Sequence, residues 1–450
     1  MRDREGGATA APRIEMLGSF ESTYQPGHDT DVAETTGHAG MWRSDLDLLR
    51  TCGIRRLRYP VRWHRIEARE GRFDWSHTDE VLDHMRGAGL APIVDLVHHT
   101  SYPRWLTDGF ADRRFGRAFL RYLEAFADRY PWVEEYTIFN EPFSTLLLCG
   151  NEGVWPPYHR GPDAFIRLLR NVLPALSAGS RLYRDMLPGA RHVYVDSCEQ
   201  HTGDGFVGSR YAAYANDRRF FVLDALLGRV DDGTQRPFVD ELLQHGGRAL
   251  LELEPATIDV LGLDYYAHCQ WHFGEQPQVP SPHPPPLASL IERYATRYGL
   301  PCMLSETNVR GFPSDRATWR KYTLEQCEQS MRAGVEIDGY CWFPFVDSCD
   351  WDSLLYHAEG NVDPVGVFSI DESRMRHASP MSVAYAMAAR GATSSELPAY
   401  RLLEPVRTWL RGYAPQLIHW TWSDPPEGQW ITPSKPGDEQ YAPLEIRDSA

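Results

Sequence analysis

The 450-residue sequence predicts a (β/α)8 barrel, and three observations carry that prediction. Eight short apolar runs recur between about residues 13 and 390, amphipathic stretches separate them, and glycines close several of those stretches. Runs this rich in β-branched and aromatic residues suit parallel strands covered on both faces. Alternation with helical sequence then favours a closed parallel barrel. A doubly wound open sheet shares the alternation, but no Gly-rich phosphate loop follows the first run.

The strands are expected at 13–20 ("RIEMLGSF"), 54–63 ("IRRLRYPVRW"), 91–98 ("APIVDLVH") and 133–140 ("VEEYTIFN"), then at 191–197, 258–266, 301–306 and 337–347. Helices are expected at 41–52, 76–88, 113–130, 162–187, 284–298, 316–333 and 381–390. In 113–130, Phe115, Phe119, Leu123, Phe126 and Tyr130 recur at steps of three and four, the spacing of one helix face. Gly53, Gly89, Gly299 and Gly334 stand just past four of these patterns, where helices end in a left-handed residue. The stretch 198–236 reads as a long connection over the cleft side. The resulting division is a flexible N-terminus at 1–12, a catalytic barrel at 13–392 and a partly irregular C-terminal extension at 393–450. Trp409, Trp420, Trp422 and Trp430 suggest that part of the extension docks on the barrel.

A net charge of −16 leaves no basic footprint for nucleic acid and little attraction to an anionic membrane. Lys321 and Lys435 are the only lysines, so arginine carries the rest of the positive charge. Eight scattered cysteines without a CxxC pair read as reduced core thiols, which with the absence of an apolar leader points to a cytoplasmic protein. No apolar run approaches the roughly 20 residues a membrane span needs.

The chemistry is expected at the carboxyl ends of the strands. In "YTIFNEPF", Glu141 follows the fourth run; in "CMLSETN", Glu306 follows the seventh. A carboxylate at the edge of an apolar strand is costly unless it is paired, solvated or used. Two that face one cleft can cleave a glycoside, one protonating the leaving oxygen while the other attacks the anomeric carbon or activates water.

These segments resemble glycoside hydrolase family 1, retaining β-glycosidases built on (β/α)8 barrels. The resemblance rests on "TIFNEPFSTLLLCGNEGVWPPYH", "LRYPVRWHRIEAREGRFDW", "VDLVHHTSYPRWL", "LGLDYYAH" and "GYCWFPFVDSCDW", which stand in the family's order. It implies Glu141 as acid/base, Glu306 as nucleophile and Asn140 as the partner of the sugar's 2-hydroxyl. It also implies Arg58 and Tyr266 beside Glu306, His98 on sugar hydroxyls, Trp342 as a platform followed by a cis peptide, and Asp350 and Trp351 on the far hydroxyls. Four departures stand out. Asp350 replaces a Glu in a segment one residue longer, Asp264 replaces the Asn before the tyrosine pair, and Thr307-Asn308 replaces Asn-Gly. At the first strand either Glu21 or Gln25 would take the place of a sugar-binding Gln.

Plainer readings compete with each assignment. His98 and His99 should point to opposite faces of a strand, as should Tyr265 and Tyr266. "DSCDWD" offers three aspartates, and Trp155 could pack rather than stack on sugar. "DSCD" and "HH" lack a third ligand at suitable spacing, so no metal and no cofactor are expected. The expected function is a retaining exo-β-glycosidase acting on a small, soluble, neutral glycoside or oligosaccharide. A transglycosidase using the same pair and a non-catalytic sugar-binding barrel are the alternatives. Retention requires carboxyls about 5–5.5 Å apart, and inversion about 6.5–9.5 Å.

Overall fold

All eight expected strands form in the computed structural model, which describes residues 13–230, 236–274, 278–400 and 430–431. They are β1 (Met16–Ser19), β2 (Arg56–Pro60), β3 (Ala91–Asp95), β4 (Glu135–Thr137), β5 (Arg191–Ser197), β6 (Val260–Asp264), β7 (Cys302–Glu306) and β8 (Ile337–Trp342). Each pairs in parallel with its neighbours in the chain, and β8 closes on β1 through Met16 opposite Tyr340. The ring is a closed barrel.

Its interior is filled in layers by the period-two alternation of the strands. Leu17, Ile93, Val193, Val195, Val260, Met303 and Cys341 form an apolar plug inside the ring. Beneath it, Arg56 and Arg191 bridge Glu135 and Asp338. Two residues along β2 from Arg56, Arg58 points the same way one layer higher, at the opposite mouth. A single strand thus supplies a structural arginine at the floor and a second one among the acids at the top.

The helical layer comprises α1 (His38–Cys52), α2 (Ser76–Gly87), α3 (Phe115–Arg129), α4 (Pro162–Met186), α5 (Gly205–Leu226), α6 (Leu287–Tyr298), α7 (Pro313–Arg332) and α8 (Pro380–Ala389). Phe115, Phe119, Leu123 and Phe126 of α3 are fully buried, each worth about 1.5–3 kcal/mol of transfer free energy. Gly53, Gly89, Gly299 and Gly334 all adopt positive φ at or just past helix ends, so a helix stop is legible at each.

The stretch 198–236 is not a mere connection. It holds the short strand Gln200–Gly203, paired with Gln270–Phe273, and then the 22 residues of α5, the barrel helix that follows β5. The helix was hidden because its buried residues gather on all sides of the last two turns, from Arg219 to Leu226, instead of forming a stripe. The first turns leave Phe206, Val207 and Tyr211 exposed.

Only the start of the C-terminal extension falls among the described residues. Lys321 of α7 donates to the Leu397 carbonyl, and Thr318 exchanges hydrogen bonds with the Tyr400 backbone. Ala399–Tyr400 pairs in parallel with Trp430–Ile431. The remainder of 393–450 and the expected flexible segment 1–12 lie outside the described residues. All eight cysteines are buried free thiols. Among the described residues no helix is long and apolar enough to cross a membrane.

Candidate active site

β4 is short, and the chain beyond it is carried across the barrel mouth by bonds to its neighbours. Asn140 N–H donates to the Val97 carbonyl and Glu141 N–H to that of Val195. Glu141 adopts φ 44° and ψ 63°, a left-handed conformation that costs a non-glycine residue about 1–3 kcal/mol. Pro142 immediately opens a short helix, Pro142–Leu147, and its fixed φ suits a first helical position. The strand-to-helix corner aims Glu141 over the ring. Glu306 is the last residue of β7, and one of its oxygens lies within 4.8 Å of one of Glu141.

Both oxygens of Glu306 accept. Arg58 Nη1 donates to Oε1 at 2.6 Å and the Tyr266 hydroxyl to Oε2 at 2.7 Å. Tyr265, one residue back, faces the helices and stacks on Trp319 at 5.9 Å, so the tyrosine pair splits as strand alternation requires. Arg58 also donates through Nη2 to Asn140 Oδ1 at 2.8 Å. Thr145 Oγ1 donates to the Asn140 carbonyl, which makes it the acceptor for His99 Nδ1–H at 2.9 Å. His99 Nε2 is then free to accept from Asn140 Nδ2 at 3.3 Å. Burial, with the charges of His98 and Arg58, holds His99 well below its usual pKa, in keeping with this neutral tautomer. Asn140 is fixed from both sides.

The histidine alternation does not hold. β3 ends at Asp95, and His99 takes a positive φ of 47°, so both rings reach the same region with centroids 4.7 Å apart. His98 Nδ1 bonds Asp95 at 2.7 Å and its Nε2 lies 3.4 Å from Glu21 Oε1. Burial alone would lower its pKa, but Asp95 and Glu21 overcome that and hold it at about 10. His98 is therefore an imidazolium between two acids. Glu21 keeps its second oxygen unpartnered, with Thr23 donating to the first.

Of the two first-strand candidates, Glu21 is thus the one beside His98. Gln25 lies buried in the hairpin of Tyr24–Gln25 with Thr30–Asp31, and no described hydrogen bond ties its side chain to the carboxylates. Trp351 meets both His99 and Trp155 at 5.8 Å, and its buried indole N–H has no partner, as a group reserved for a ligand would.

Two expected sugar contacts also carry structural bonds. Asp350 accepts from Gly360 N–H and Asn361 N–H, each at 2.9 Å, which pins the following loop. Trp342 is wholly buried, and its indole donates to the Val365 carbonyl at 2.8 Å. The cis peptide falls one residue later, at Phe343–Pro344, and it is the Phe343 ring that lies 5.5 Å from His98.

Sequence reasoning noted Asp264 as a departure and did not place it in the site. The structure does. At the end of β6 one of its oxygens lies within 4.8 Å of oxygens of both Glu141 and Glu306. Ser305 donates to Asp264 Oδ1 at 2.6 Å. Two like charges at that separation repel by about 3 kcal/mol at an effective dielectric of 20. Burial first, and then Asp264, Glu306 and Asp196, push Glu141 well above the usual carboxylate range, which favours its protonated form. Burial and Glu306 likewise raise Asp264, against the opposing pull of Arg58 and Ser305. The available signal was the strand's own alternation, which puts Asp264 and Tyr266 on one face.

Gly262 makes this cluster possible. A Cβ there would lie 2.6 Å from Ser305 Oγ and 2.8 Å from Val195 Cγ2. Gly262→Ala is expected to displace Ser305 and with it the donor to Asp264. It should destabilise the fold by about 1–3 kcal/mol and lower activity, read by denaturant unfolding and by kcat/KM. The three acids contain no histidine or thiol among them. Arg58 and the retained proton supply their countercharge, so no metal role is assigned.

A closed parallel barrel bearing paired acids at its strand ends, with ligand-ready polar groups around them, belongs to the class of enzymes that cleave glycosidic bonds. The comparisons narrow the class. The model of glycosyl hydrolase family 1 matches residues 18–208, a span that includes Glu21, Arg58, His98, Asn140 and Glu141. The chain is 25% identical to thermostable β-glucosidase B of Thermobispora bispora, covering 79% of this chain and 84% of that one. It is 24% identical to a bifunctional β-D-glucosidase/β-D-fucosidase of Bifidobacterium breve, over 77% and 86%. A β-glucosidase from Thermotoga maritima in complex with deoxynojirimycin superposes with a TM-score of 0.69 at 16% identity, covering 84% of this chain and 97% of that one. The chain is a glycoside hydrolase, and over these spans it is similar to the β-glucosidases of glycosyl hydrolase family 1.

Proposed function

We propose that the protein is a retaining exo-β-glycosidase working by double displacement on a small neutral glycoside. The observation that carries this reading is the short reach between Glu141 and Glu306, which bring oxygens within 4.8 Å of each other, with two donors fixed on Glu306 and with burial and neighbouring acids raising the pKa of Glu141. So close an approach suits the separation of about 5–5.5 Å that retaining pairs use better than the 6.5–9.5 Å or so of inverting ones.

In the first step Glu306 attacks the anomeric carbon, the glycosidic C–O bond breaks, and the Glu141 proton passes to the departing oxygen. In the second, Glu141 takes a proton from water as that water attacks the same carbon and the ester to Glu306 breaks. Asn140, locked between Arg58 and His99, is placed to bind the 2-hydroxyl. Glu21, the His98 imidazolium and the Trp351 indole N–H offer an acceptor and two donors to the remaining hydroxyls. The acids leave little welcome for a phosphorylated sugar.

The names of the relatives make aryl glucosides and fucosides the first substrates to try. Incubation with the corresponding 2-deoxy-2-fluoro glycosides should add one sugar mass to the intact protein, mapped by peptide fragmentation to Glu306. NMR of early product should show the β-anomer. An adduct elsewhere, or an α-anomer first, defeats the reading.

A further inference from the structure

Asp264 has one oxygen, Oδ2, that is buried and meets no N–H or O–H donor of the protein. Other acids crowd this carboxyl, since Glu141 and Glu306 each bring an oxygen within 4.8 Å of one of its own. Both oxygens of Glu306 are already taken by Arg58 and Tyr266. The donor that this cluster itself can offer such a buried carboxylate oxygen is a proton on Glu141. The rest of Asp264 is held rigidly, by Ser305 on Oδ1 and by the close approach that Gly262 permits.

We infer that Asp264 is a positioning residue for proton transfer: it holds the Glu141 proton in a shared hydrogen bond, and drives Glu141 to draw a new one from water once Glu306 is an ester. This rests on the double-displacement reading above. When the glycosidic bond breaks, the Glu141 proton leaves with the aglycone and Glu306 loses its charge by esterification. Asp264 and Glu141 then face each other as two carboxylates, and the repulsion is relieved when water delivers a proton to Glu141 while its oxygen bonds to the anomeric carbon. The ester opens, Glu306 regains its charge, and the shared hydrogen bond re-forms.

The other groups around the pair are accounted for. Glu141 is faced by Asp196 at the end of β5, by His99 beyond β3 with its Nε2 at 4.0 Å, by Tyr266 and the Cys269 thiol beyond β6 and by Glu306 of β7. Asp264 is faced by Arg58 of β2, Tyr266 beyond β6, Glu306 and Ser305 of β7, and the thiols of Cys341 in β8 and Cys198 beyond β5. None of these apart from Glu306 changes charge during the reaction, so Asp264 is the fixed partner through both steps.

The test is Asp264→Asn, nearly isosteric and still able to bond Ser305. The basic limb of kcat/KM should move down by about one pH unit or more. With a dinitrophenyl glycoside, whose departure needs no acid, kcat should fall about tenfold with KM falling alongside, as expected when the second step slows. A limb that stays within about 0.3 pH unit, with kcat unchanged, overturns the proposal. Neutron diffraction on the wild-type protein reads it without any variant: a deuteron between Glu141 and Asp264 supports it, and two bare carboxylates refute it. Trapping by a 2-fluoro glycoside separates the two levels. An adduct on Glu306 in both proteins with an unmoved pH limb sinks the role of Asp264 alone, whereas no adduct in the wild type sinks the hydrolytic reading and this proposal together.

Discussion

Glu306→Gln is expected to lower kcat by about 10⁴-fold or more, with the protein still folded. The amide cannot form the ester on which the first step depends, and no other carboxylate stands in its place. The raised pKa of Glu141 favours its acid form, and Asp264 is engaged by Ser305 on one oxygen and by Glu141 on the other side. The variant also strips Arg58 of its 2.6 Å anion, though Asp95 at 3.6 Å and Asp264 remain nearby. Removing one partner of a buried pair costs about 3–5 kcal/mol when the other is left uncompensated. These remaining acids should hold the loss at or below the bottom of that range. Single-turnover kinetics with an aryl glycoside and a denaturant titration measure the two effects separately. Activity within a hundredfold of the wild type would remove Glu306 from the role of nucleophile.

Much of this was legible because strands in a barrel are short, apolar and followed by residues that cannot be core. Glu141 and Glu306 announce themselves as charges standing where an apolar run stops. Arg58 reads the same way from inside a strand. The residues that escaped did so for reasons of local geometry. His99 was assigned to the far face by alternation, but the strand had already ended and a positive φ turned the chain. Asp350 has the right type and neighbourhood for a hydroxyl ligand, and only the fold reveals that its oxygens also hold two backbone amides of the following loop. The cis bond expected after Trp342 falls one residue later, at Phe343–Pro344, a shift that spacing alone does not register. Asp264 was visible as an odd residue, yet its meaning depends on a third strand and on a glycine that lets Ser305 approach. The helix α5 was lost because its core-facing residues are bunched along the chain rather than striped.

Glu141→Gln should separate activity from stability. With a poor leaving group, kcat/KM is expected to fall by about 10²–10⁴-fold, because nothing else is placed to protonate the departing oxygen. With a dinitrophenyl leaving group the first step should survive and the second should stall. Azide, which needs no base, should then restore turnover and yield the β-glycosyl azide. The basic limb of the pH profile should vanish with the group that titrates it. Stability should move the other way. The folded protein holds the Glu141 proton more tightly than the unfolded chain does, so wild-type stability declines as pH rises past the ordinary glutamate range. A glutamine has no such proton to lose, and its amide N–H can donate to the Asp264 oxygen that has no other donor. The variant should therefore gain about 1 kcal/mol near neutral pH, a rise in Tm of about 2 °C or more, and gain nothing in acid, where both states of the wild type are protonated. An inactive variant no more stable than the wild type across that range would mean that Glu141 and Asp264 are not crowded as the geometry requires. A fully active one would mean that the proton comes from elsewhere.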